Sequence, residues 1–405
     1  MEELAVLATS AGAEVIDRVL QIRVRLDPAT LVGFGKLAQI QQKVEAEEIE
    51  TVIFDHELTP TQLRNLERRL GIKVLDRTQL ILDIFARRAR TSEGQLQVEL
   101  AQLNYLLPRL AGRGTQMSRL GGGIGTRGPG ETQLETDRRR IARRIAKLKR
   151  EIERVRATRG VQRSQRQAVP LSTVSLVGYT NAGKSTLFNR VTGASVLADA
   201  RMFATLDPTV RQIRLPSGRR VLLSDTVGFI RNLPTTLVEA FRATLEEVTA
   251  AALLLHIVDI TSPTAAAQTA QVLEVLGEIG AETTPQVLVL NKSDRMPPEY
   301  RNQDLATLTH RLLGETARQN ATQAVLISAQ TGDGLDGLLN VIDRQLAEDP
   351  VTRQKFRLPL SEGRAMHLLH DRAAVISRHY ADDYCEVVAD TPESIRQKLA
   401  EFVVE

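Results

Sequence analysis

Hydrophobic and polar residues alternate with two different periods along this chain of 405 residues. Short, mainly apolar runs, which are typical of buried strands, occur at 51–54, 173–177, 220–224, 286–290 and 324–327. Between them lie longer stretches with the 3.6-residue period of amphipathic helices. Strands that alternate with helices favour a parallel sheet, so the pattern predicts an α/β fold.

Four regions are expected, each with its own pattern. They are an N-terminal α/β domain (1–92), a long antiparallel helical hairpin with a glycine-rich loop and a basic arm (93–168), a central domain with a mostly parallel sheet and helices on both faces (171–349), and a small C-terminal α+β domain (353–405). In the first region the pattern predicts a strand at Val15–Val24, ahead of two others at 51–54 and 72–75. In the last region the predicted order is strand, helix, strand, strand, helix.

The hairpin is predicted from two apolar stripes at heptad spacing, one on each side of a loop. In that loop, 111–130, eight of the 20 residues are glycine, which excludes a helix. The stripes comprise Leu96, Leu100, Leu103, Leu107 and Leu110 before the loop, and Ile141, Ile145, Leu148, Ile152 and Val155 after it. Two helices that each carry one apolar stripe are expected to pack against each other.

Positive charge is concentrated in the same region. The whole chain has a formal net charge of +4, whereas residues 109–166 contain 17 Lys and Arg against five Asp and Glu. This asymmetry predicts phosphate contacts with a polyanion such as RNA, and a solvated charged helix face is the alternative. No aromatic residue occurs between Tyr105 and Tyr179, so base stacking by this arm is not expected.

Cysteine usage and hydropathy narrow the class of protein. A single cysteine, Cys385, excludes a disulfide framework and fits a reducing cytoplasm, with the thiol expected in a core. The N-terminus has two acidic residues and no apolar leader segment. The longest apolar run, 250–258, is too short to cross a membrane. We therefore expect a soluble cytoplasmic protein, and we expect it to be a monomer.

Gly178–Ser185 matches the phosphate-binding pattern G-x-x-x-x-G-K-[ST] and lies between a predicted strand and a predicted helix. Glycines allow backbone N–H groups to point at phosphate oxygens, and the helix N-terminus favours their negative charge. Lys184 is expected to reach the β- and γ-phosphates, and the hydroxyl of Ser185 to bind Mg²⁺. For this motif alone, a glycine turn that begins a helix is the alternative.

The motif Asn291–Asp294 (N-K-x-D) follows the run 286–290 and indicates the base. The carboxylate of Asp294 can accept hydrogen bonds from the ring N–H and the exocyclic amine of guanine, and adenine would leave it unpaired. Ser328–Gln330 follows the run 324–327 and is expected beside the base. The order of these motifs after the phosphate loop predicts GTP as the substrate.

Two further segments are expected to respond to the γ-phosphate. In Asp225–Gly228 (D-x-x-G), Asp225 is predicted to hold Mg²⁺ through water, and the N–H of Gly228 to contact the γ-phosphate. In the polar loop before this motif, Thr205 is the candidate for the second protein ligand of Mg²⁺, with Thr209 as the alternative. Such loops order with GTP and relax after hydrolysis.

Phe229 stands where Ras-like GTPases carry the glutamine that orients the attacking water. A phenyl ring cannot hydrogen-bond that water, so intrinsic hydrolysis is predicted to be slow and a partner is expected to assist it. Asn181 is a candidate for holding K⁺, whose charge would act as an arginine finger does. A loop-shaping role for Asn181 is the alternative.

These motifs together define the candidate site. Its candidate catalytic residues are Lys184, Thr205 and Gly228. The predicted metal ligands are Ser185 and Thr205, with Asp225 acting through water. The residues expected to bind the nucleotide are Gly178, Tyr179, Thr180, Asn181, Ala182, Gly183, Lys184, Ser185, Thr186, Phe203, Ala204, Thr205, Leu206, Asp207, Asp225, Thr226, Val227, Gly228, Asn291, Lys292, Ser293, Asp294, Ser328, Ala329 and Gln330.

The chain resembles the HflX family of ribosome-associated GTPases. The most specific part of the resemblance is the glycine-loop signature Gly121–Asp137 (GGGIGTRGPGETQLETD). The phosphate loop and the segments Phe203–Pro208, Asp225–Phe229 and Asn291–Asp294 carry the rest. The resemblance covers most of residues 30–350, and the residues after 350 match the family pattern poorly.

The resemblance implies a GTPase that binds the large ribosomal subunit and its RNA through the basic hairpin and the glycine-rich loop. It also implies stimulation by ribosomal subunits, splitting or rescue of stalled ribosomes under stress, and a location at ribosomes or at the membrane periphery. One alternative is a GTP-gated RNA-binding regulator of ribosome assembly or RNA metabolism, in which hydrolysis is only a timer. Another is an RNA-modifying GTPase.

Overall fold

The computed structural model describes residues 2–110, 133–166, 171–194, 202–203, 208–231, 242–296, 303–313, 321–348, 351–360, 362–381 and 383–404. These residues form two compact units. The first contains the described residues up to Val155 together with Met202 and Phe203, and the second contains the other described residues. Helices and a mostly parallel sheet are both present, so the predicted α/β class is confirmed.

The first unit is mainly helical. Its elements, in chain order, are α1 (Glu2–Ser10), α2 (Phe34–Ala46), β1 (Thr51–Phe54), α3 (Pro60–Leu70), β2 (Lys73–Asp76), α4 (Arg77–Arg88), α5 (Ser92–Leu110) and the first part of α6 (Gln133–Arg166). Strands β1 and β2 are parallel, with Thr51 opposite Lys73, and they confirm two of the three strands predicted here.

The helices α3 and α4 begin where local capping groups place them. Thr59 and Gln62 form a reciprocal capping box at the start of α3, with Pro60 at its first turn. Gly71 ends the same helix with a φ of +70°, a conformation that glycine adopts without steric cost. Asp76 then caps α4 by accepting the N–H of Gln79, so β2 passes directly into the next helix.

The strand predicted at Val15–Val24 is wrong. This segment has no regular secondary structure, and Ile22 and Val24 are 91% and 103% exposed. A strand needs a neighbour to pair with its backbone groups, and within the described residues β1 and β2 pair only with each other. The alternating pattern alone, without a partner strand, is therefore insufficient to form a ladder.

The helices α5 and α6 flank the glycine-rich loop, which lies outside the described residues. Both Nε and Nη2 of Arg144 on α6 donate to the carboxylate of Glu99 on α5, at 2.7 Å each. The most buried face of α5 includes Gly94, Ala101 and Tyr105, whereas the leucines of the predicted stripe are only half-buried. Helix α5 also contacts α4, and the face of α5 that is most buried is not the one that the heptad pattern indicated.

The second unit is built on a six-stranded sheet. Its elements, after the end of α6, are β3 (Thr173–Gly178), α7 (Lys184–Thr192), β4 (Thr209–Arg214), β5 (Arg220–Asp225), α8 (Arg242–Thr249), β6 (Leu253–Asp259), α9 (Ala265–Glu278), β7 (Gln286–Asn291), α10 (Leu305–Leu313), β8 (Ala321–Leu326) and α11 (Leu335–Glu348). The strand order is β4-β5-β3-β6-β7-β8, and all neighbours are parallel except β4 and β5.

Apolar side chains cover both faces of this sheet. One core contains Leu176 and Leu255 and extends to Phe188 of α7. The other contains Leu288 and Leu290 and extends to Leu308 of α10. Helices therefore occupy both faces. Because strands β5, β3, β6, β7 and β8 are parallel, the polar residues that follow them are brought together at the carboxyl edge of the sheet, where α/β folds bind ligands.

The end of the chain forms an antiparallel sheet with the strand order β10-β11-β9-β12. Its elements are β9 (Val351–Pro359), α12 (Gly363–Arg372), β10 (Ala374–Tyr380), β11 (Tyr384–Pro392), α13 (Glu393–Lys398) and β12 (Val403–Val404). The predicted order is confirmed, with β12 added at the edge. Cys385 is fully buried in its core, as expected. Within the described ranges, no helix is long and apolar enough to span a lipid bilayer.

Candidate nucleotide-binding site

The phosphate loop connects β3 to α7 at the carboxyl edge of the parallel sheet. Gly183 has a φ of +101°, and a Cβ there would lie 2.2 Å from Nδ2 of Asn291, so only glycine fits. Asn181 also adopts a left-handed backbone conformation, with a φ of +62°. The loop therefore turns tightly into the N-terminus of α7, the end of a helix that favours anions.

Lys184 is buried at the start of α7. Its Nζ donates hydrogen bonds to the carbonyl oxygens of Gly178 at 3.0 Å and Tyr179 at 2.8 Å. Burial lowers the pKa of Lys184 to about 8, while the nearby charge of Asp225 opposes this shift. The two neutral carbonyl groups and the carboxylate of Asp225 do not fully compensate the burial of the ammonium, so a phosphate that binds here would add a favourable negative charge.

Ser185 and Asp225 join the phosphate loop to the end of β5. The hydroxyl of Ser185 donates to Oδ2 of Asp225 at 2.8 Å, and Asp225 is fully buried. A hydroxyl and a carboxylate are oxygen ligands of the kind that Mg²⁺ prefers, so this donor pair fits the metal. Thr205 lies outside the described residues, so its role as the second protein ligand of Mg²⁺ stays a prediction. Ala204, Leu206 and Asp207 also lie outside the described residues.

The segment after Asp225 runs beside the phosphate loop. The hydroxyl of Thr226 donates to the carbonyl oxygen of Leu176 at 2.5 Å. A Cβ at Gly228 would lie 2.8 Å from Cγ2 of Thr180 and 3.0 Å from Nζ of Lys184. Any side chain at Gly228 would therefore displace the loop or the lysine. The contact of Gly228 with the γ-phosphate stays a prediction.

Two phenylalanines of the predicted site are buried. Phe229 is only 1% exposed, so its ring belongs to the core and does not reach the solvent. Phe203 packs edge-to-face on Phe85, with ring centroids 4.5 Å apart. Beside it, the N–H of Met202 donates to the hydroxyl of Ser10 at 3.1 Å. The predicted contact of Phe203 with the nucleotide stays a prediction.

At the base end, the predicted residues hydrogen-bond to one another. Nδ2 of Asn291 donates to the carbonyl oxygen of Ala182 at 2.8 Å, and its Oδ1 accepts the N–H of Ala329 at 2.9 Å. The hydroxyl of Ser328 donates to Oδ1 of Asp294 at 2.6 Å. The structure thus brings the phosphate loop, the N-K-x-D segment and the segment after β8 into one site.

Asp259 belongs to this site and was not predicted from the sequence. Its Oδ2 accepts a hydrogen bond from Nζ of Lys292 at 2.7 Å, and its Oδ1 accepts the N–H and the hydroxyl of Thr261. Asp259 directly follows the apolar run 253–258, and an acidic residue at the carboxyl end of a buried strand is the signal that could have identified it. The contact holds the side chain of Lys292, the second residue of the base motif.

The other predicted residues lie nearby in the chain. Thr186 is in the first turn of α7, Ser293 begins a short 3₁₀ helix (Ser293–Arg295) after β7, and Gln330 is exposed in the turn after β8. Val227 is buried between Thr226 and Gly228. Their contacts with the nucleotide stay predictions.

Sequence comparison with known proteins shows the family. The chain is 46% identical to the GTPase HflX of Caldanaerobacter subterraneus subsp. tengcongensis, over 100% of this chain and 90% of that protein. It is 44% identical to the GTPase HflX of Escherichia coli, over 95% of this chain and 87% of that protein. This chain belongs to the HflX family of GTPases. The resemblance inferred from its motifs is confirmed. It also extends beyond the expected range of 30–350, because the alignment with the Caldanaerobacter protein covers the whole chain, including the residues after 350.

Three family models match consecutive parts of this HflX-family chain. The model described as GTP-binding GTPase N-terminal matches residues 1–86, the one described as GTP-binding GTPase Middle Region matches 88–166, and the one described as 50S ribosome-binding GTPase matches 173–292. The solved structure of a GTP-binding protein from Sulfolobus solfataricus in complex with GDP is 28% identical, covers 86% of this chain and 95% of that chain, and has a TM-score of 0.46. Membership of this family and the match to the GTPase model make the protein a P-loop GTPase that binds and hydrolyses GTP.

Proposed function

We propose that this HflX-family GTPase binds the large ribosomal subunit in its GTP-bound form and splits or rescues stalled ribosomes, with hydrolysis releasing it. The observation that carries the proposal is the cationic surface of α6. Its exposed members are Arg138, Arg139, Arg140, Arg143, Lys147, Lys149, Arg150 and Arg154.

The two sides of α6 differ in their chemistry. Leu148 and Ile152 are buried, while the cations around them are exposed. Long arginine and lysine side chains on one helix suit the regularly spaced phosphates of folded RNA, and such contacts weaken as salt rises. The described part of α6 offers no aromatic ring to stack on a base, so recognition of RNA shape and backbone is favoured.

The burial of Phe229 supports the need for a partner. A buried phenyl ring cannot orient the attacking water, and its neighbours in the D-x-x-G segment offer backbone groups instead. The family model that matches 173–292 is described as a 50S ribosome-binding GTPase. Both points favour a GTPase whose turnover rises when a ribosomal subunit completes the site.

We also propose that Mg²⁺ is held by Ser185 directly and by Asp225 through water, with Thr205 as the second protein ligand. Bound there, the ion would neutralise charge on the β- and γ-phosphates. Asn181, which is exposed and left-handed, is the candidate for K⁺. Replacing K⁺ by Na⁺ in a turnover assay tests that second ion, with an Asn181→Ala variant as the control that should no longer respond.

The first test of the proposed function is GTP turnover with and without purified large ribosomal subunits. We expect stimulation of at least tenfold, and none in a Lys184→Ala variant, because Lys184 is required at the phosphate end of the site. If tight GTP binding is accompanied by no stimulation, the GTP-gated RNA-binding regulator becomes the better interpretation.

A second test removes part of the cationic surface. An Arg138/Arg139/Arg140→Ala variant should bind large subunits more weakly and with a shallower dependence on salt, by roughly two to three counterions. The matched control is Arg64/Arg68/Arg69→Ala, which removes three exposed arginines from α3. Equal losses in both variants would show that net charge alone, and not α6, determines binding.

A further inference from the structure

Three hydrogen bonds tie the phosphate loop to the segment after Asp225. The N–H of Thr180 donates to the carbonyl oxygen of Phe229 at 2.7 Å, and the N–H of Phe229 donates to the carbonyl oxygen of Gly178 at 3.1 Å. The third bond uses a side chain, since the N–H of Arg231 donates to the hydroxyl oxygen of Tyr179 at 2.7 Å. The two segments form a short parallel bridge centred on Tyr179.

The phosphate-binding pattern itself does not explain a tyrosine at position 179. In G-x-x-x-x-G-K-[ST] the second residue is free to vary, because phosphates are bound by the backbone, the lysine and the hydroxyl residue. Yet Tyr179 is only 5% exposed, and a buried tyrosine hydroxyl needs a hydrogen-bond partner. Its partner is a backbone group three residues beyond Gly228.

These bonds determine where the backbone of Gly228 lies. Phe229 is held at both its N–H and its carbonyl oxygen, and the Tyr179 hydroxyl holds the chain two residues later. Gly228 lies immediately before, and the space for a Cβ there is filled by Thr180 and Lys184. In Ras-like GTPases a glutamine at this position orients the attacking water. Since Phe229 has no polar side-chain group, the direction of the backbone groups in this segment matters more for hydrolysis here.

We propose that the hydroxyl of Tyr179 is a positioning group for hydrolysis, which holds the backbone of Gly228 and Phe229 beside Lys184 when the γ-phosphate is present. The hydroxyl acts through the hydrogen bond to the N–H of Arg231 and does not touch the reacting atoms. Its effect is therefore confined to steps that involve the γ-phosphate, and binding of a diphosphate is left unchanged.

A Tyr179→Phe variant tests the proposal, because it keeps the buried ring and removes one oxygen atom. We expect kcat for GTP, measured in steady-state assays without ribosomal subunits, to fall about fivefold, which is the effect of one hydrogen bond. The KM for GTP and the affinity for fluorescent GDP should stay within about twofold of the wild-type values. The matched control, Tyr380→Phe, removes an exposed hydroxyl on β10 and should leave all three quantities unchanged.

Two results would overturn the proposal. An unchanged kcat in the Tyr179→Phe variant would mean that the backbone bonds alone hold the segment. A loss of GDP affinity in parallel with kcat would mean that the hydroxyl shapes the whole phosphate loop. Because ribosomal subunits are absent from the assay, neither result depends on the ribosomal role proposed above.

Discussion

The two ends of the nucleotide site are held in different ways. At the base end, Asn291 and Asp294 hydrogen-bond to groups of other segments of the site, namely the Ala182 carbonyl, the Ala329 N–H and the Ser328 hydroxyl. At the phosphate end, Lys184 donates to carbonyl oxygens of its own loop, and the Ser185 hydroxyl donates to Asp225.

This difference separates recognition from chemistry. A base that enters a set of side chains already held by one another costs little in reorganisation, so we expect the preference for guanine to depend on this end alone. At the phosphate end, a ligand must compete with the internal hydrogen bonds of Lys184 and Ser185, so nucleotide binding changes the contacts that support hydrolysis. Variants should therefore separate the two ends.

The largest effect is expected from Lys184→Ala. It removes the only charged group that the loop directs at the phosphates, and kcat for GTP should fall by about 10²–10³-fold. The preference for GTP over ATP should survive, because Asp294 and its partners are untouched. Competition of each nucleotide against fluorescent GDP measures that preference.

Lys43→Ala is the matched control, since this exposed lysine of α2 pairs with Asp17 far from the motifs in sequence. It should leave both kcat and the nucleotide preference unchanged. Loss of the GTP preference in Lys184→Ala would contradict the separation of the two ends.

Asp294→Asn should have an effect of similar size, but on affinity alone. An amide cannot accept both hydrogen bonds from guanine, so GTP should bind roughly 10²–10³-fold more weakly. Xanthine carries a carbonyl in place of the exocyclic amine of guanine, so xanthosine triphosphate should bind the variant instead. Ser328 can still donate to the amide oxygen, which keeps the side chain in place.

Turnover of xanthosine triphosphate by Asp294→Asn should approach that of GTP by the wild type, because the phosphate end is unchanged. An Asp336→Asn variant, altered at an exposed carboxylate of α11, controls for the loss of one charge. If the Asp294 variant bound neither nucleotide, the carboxylate would be structural and the base assignment wrong.

The base end was largely predictable from the sequence, and the reason is physical. N-K-x-D and Ser328–Gln330 each follow a buried strand, and parallel strands bring their carboxyl ends to one edge. Asp259 obeys the same rule and was missed only because it belongs to no recognised motif. The hydrogen bond between Tyr179 and Arg231 could not be predicted, since it joins a variable motif position to a backbone group 52 residues away.

In the first unit, the sequence pattern predicted the structure less well. Val15–Val24 has the alternation of a strand, but among the described residues no strand pairs with it. In α5 the leucine stripe is only half-buried, and the face with Gly94 and Ala101 is buried instead. Periodicity reports which residues prefer burial, and it does not report whether a neighbouring element is available to bury them. The two ends of α3, in contrast, are set locally by its capping box and by Gly71.

Among the effects that separate the two ends, the smallest is a dependence of GTP affinity on pH, which arises at the phosphate end. Burial lowers the pKa of Lys184 to about 8, and phosphates bind the protonated form, so GTP affinity should fall about tenfold between pH 7 and pH 9. Lys184→Ala should lose this dependence and retain only the titration of the nucleotide itself. A titration with fluorescent GTP across this range measures both.

The stability of the nucleotide-free protein should respond to pH with the opposite sign. In the unfolded chain a lysine keeps its ordinary pKa of about 10.5, so between pH 8 and pH 10.5 the unfolded state binds more protons than the folded state. The contribution of Lys184 to the free energy of unfolding therefore rises with pH while GTP affinity falls. Thermal unfolding of the wild type and Lys184→Ala, compared at pH 7.5 and pH 9.5, isolates that contribution. If the two proteins differ in the free energy of unfolding by the same amount at both pH values, the charge of Asp225 offsets the effect of burial on the pKa of Lys184.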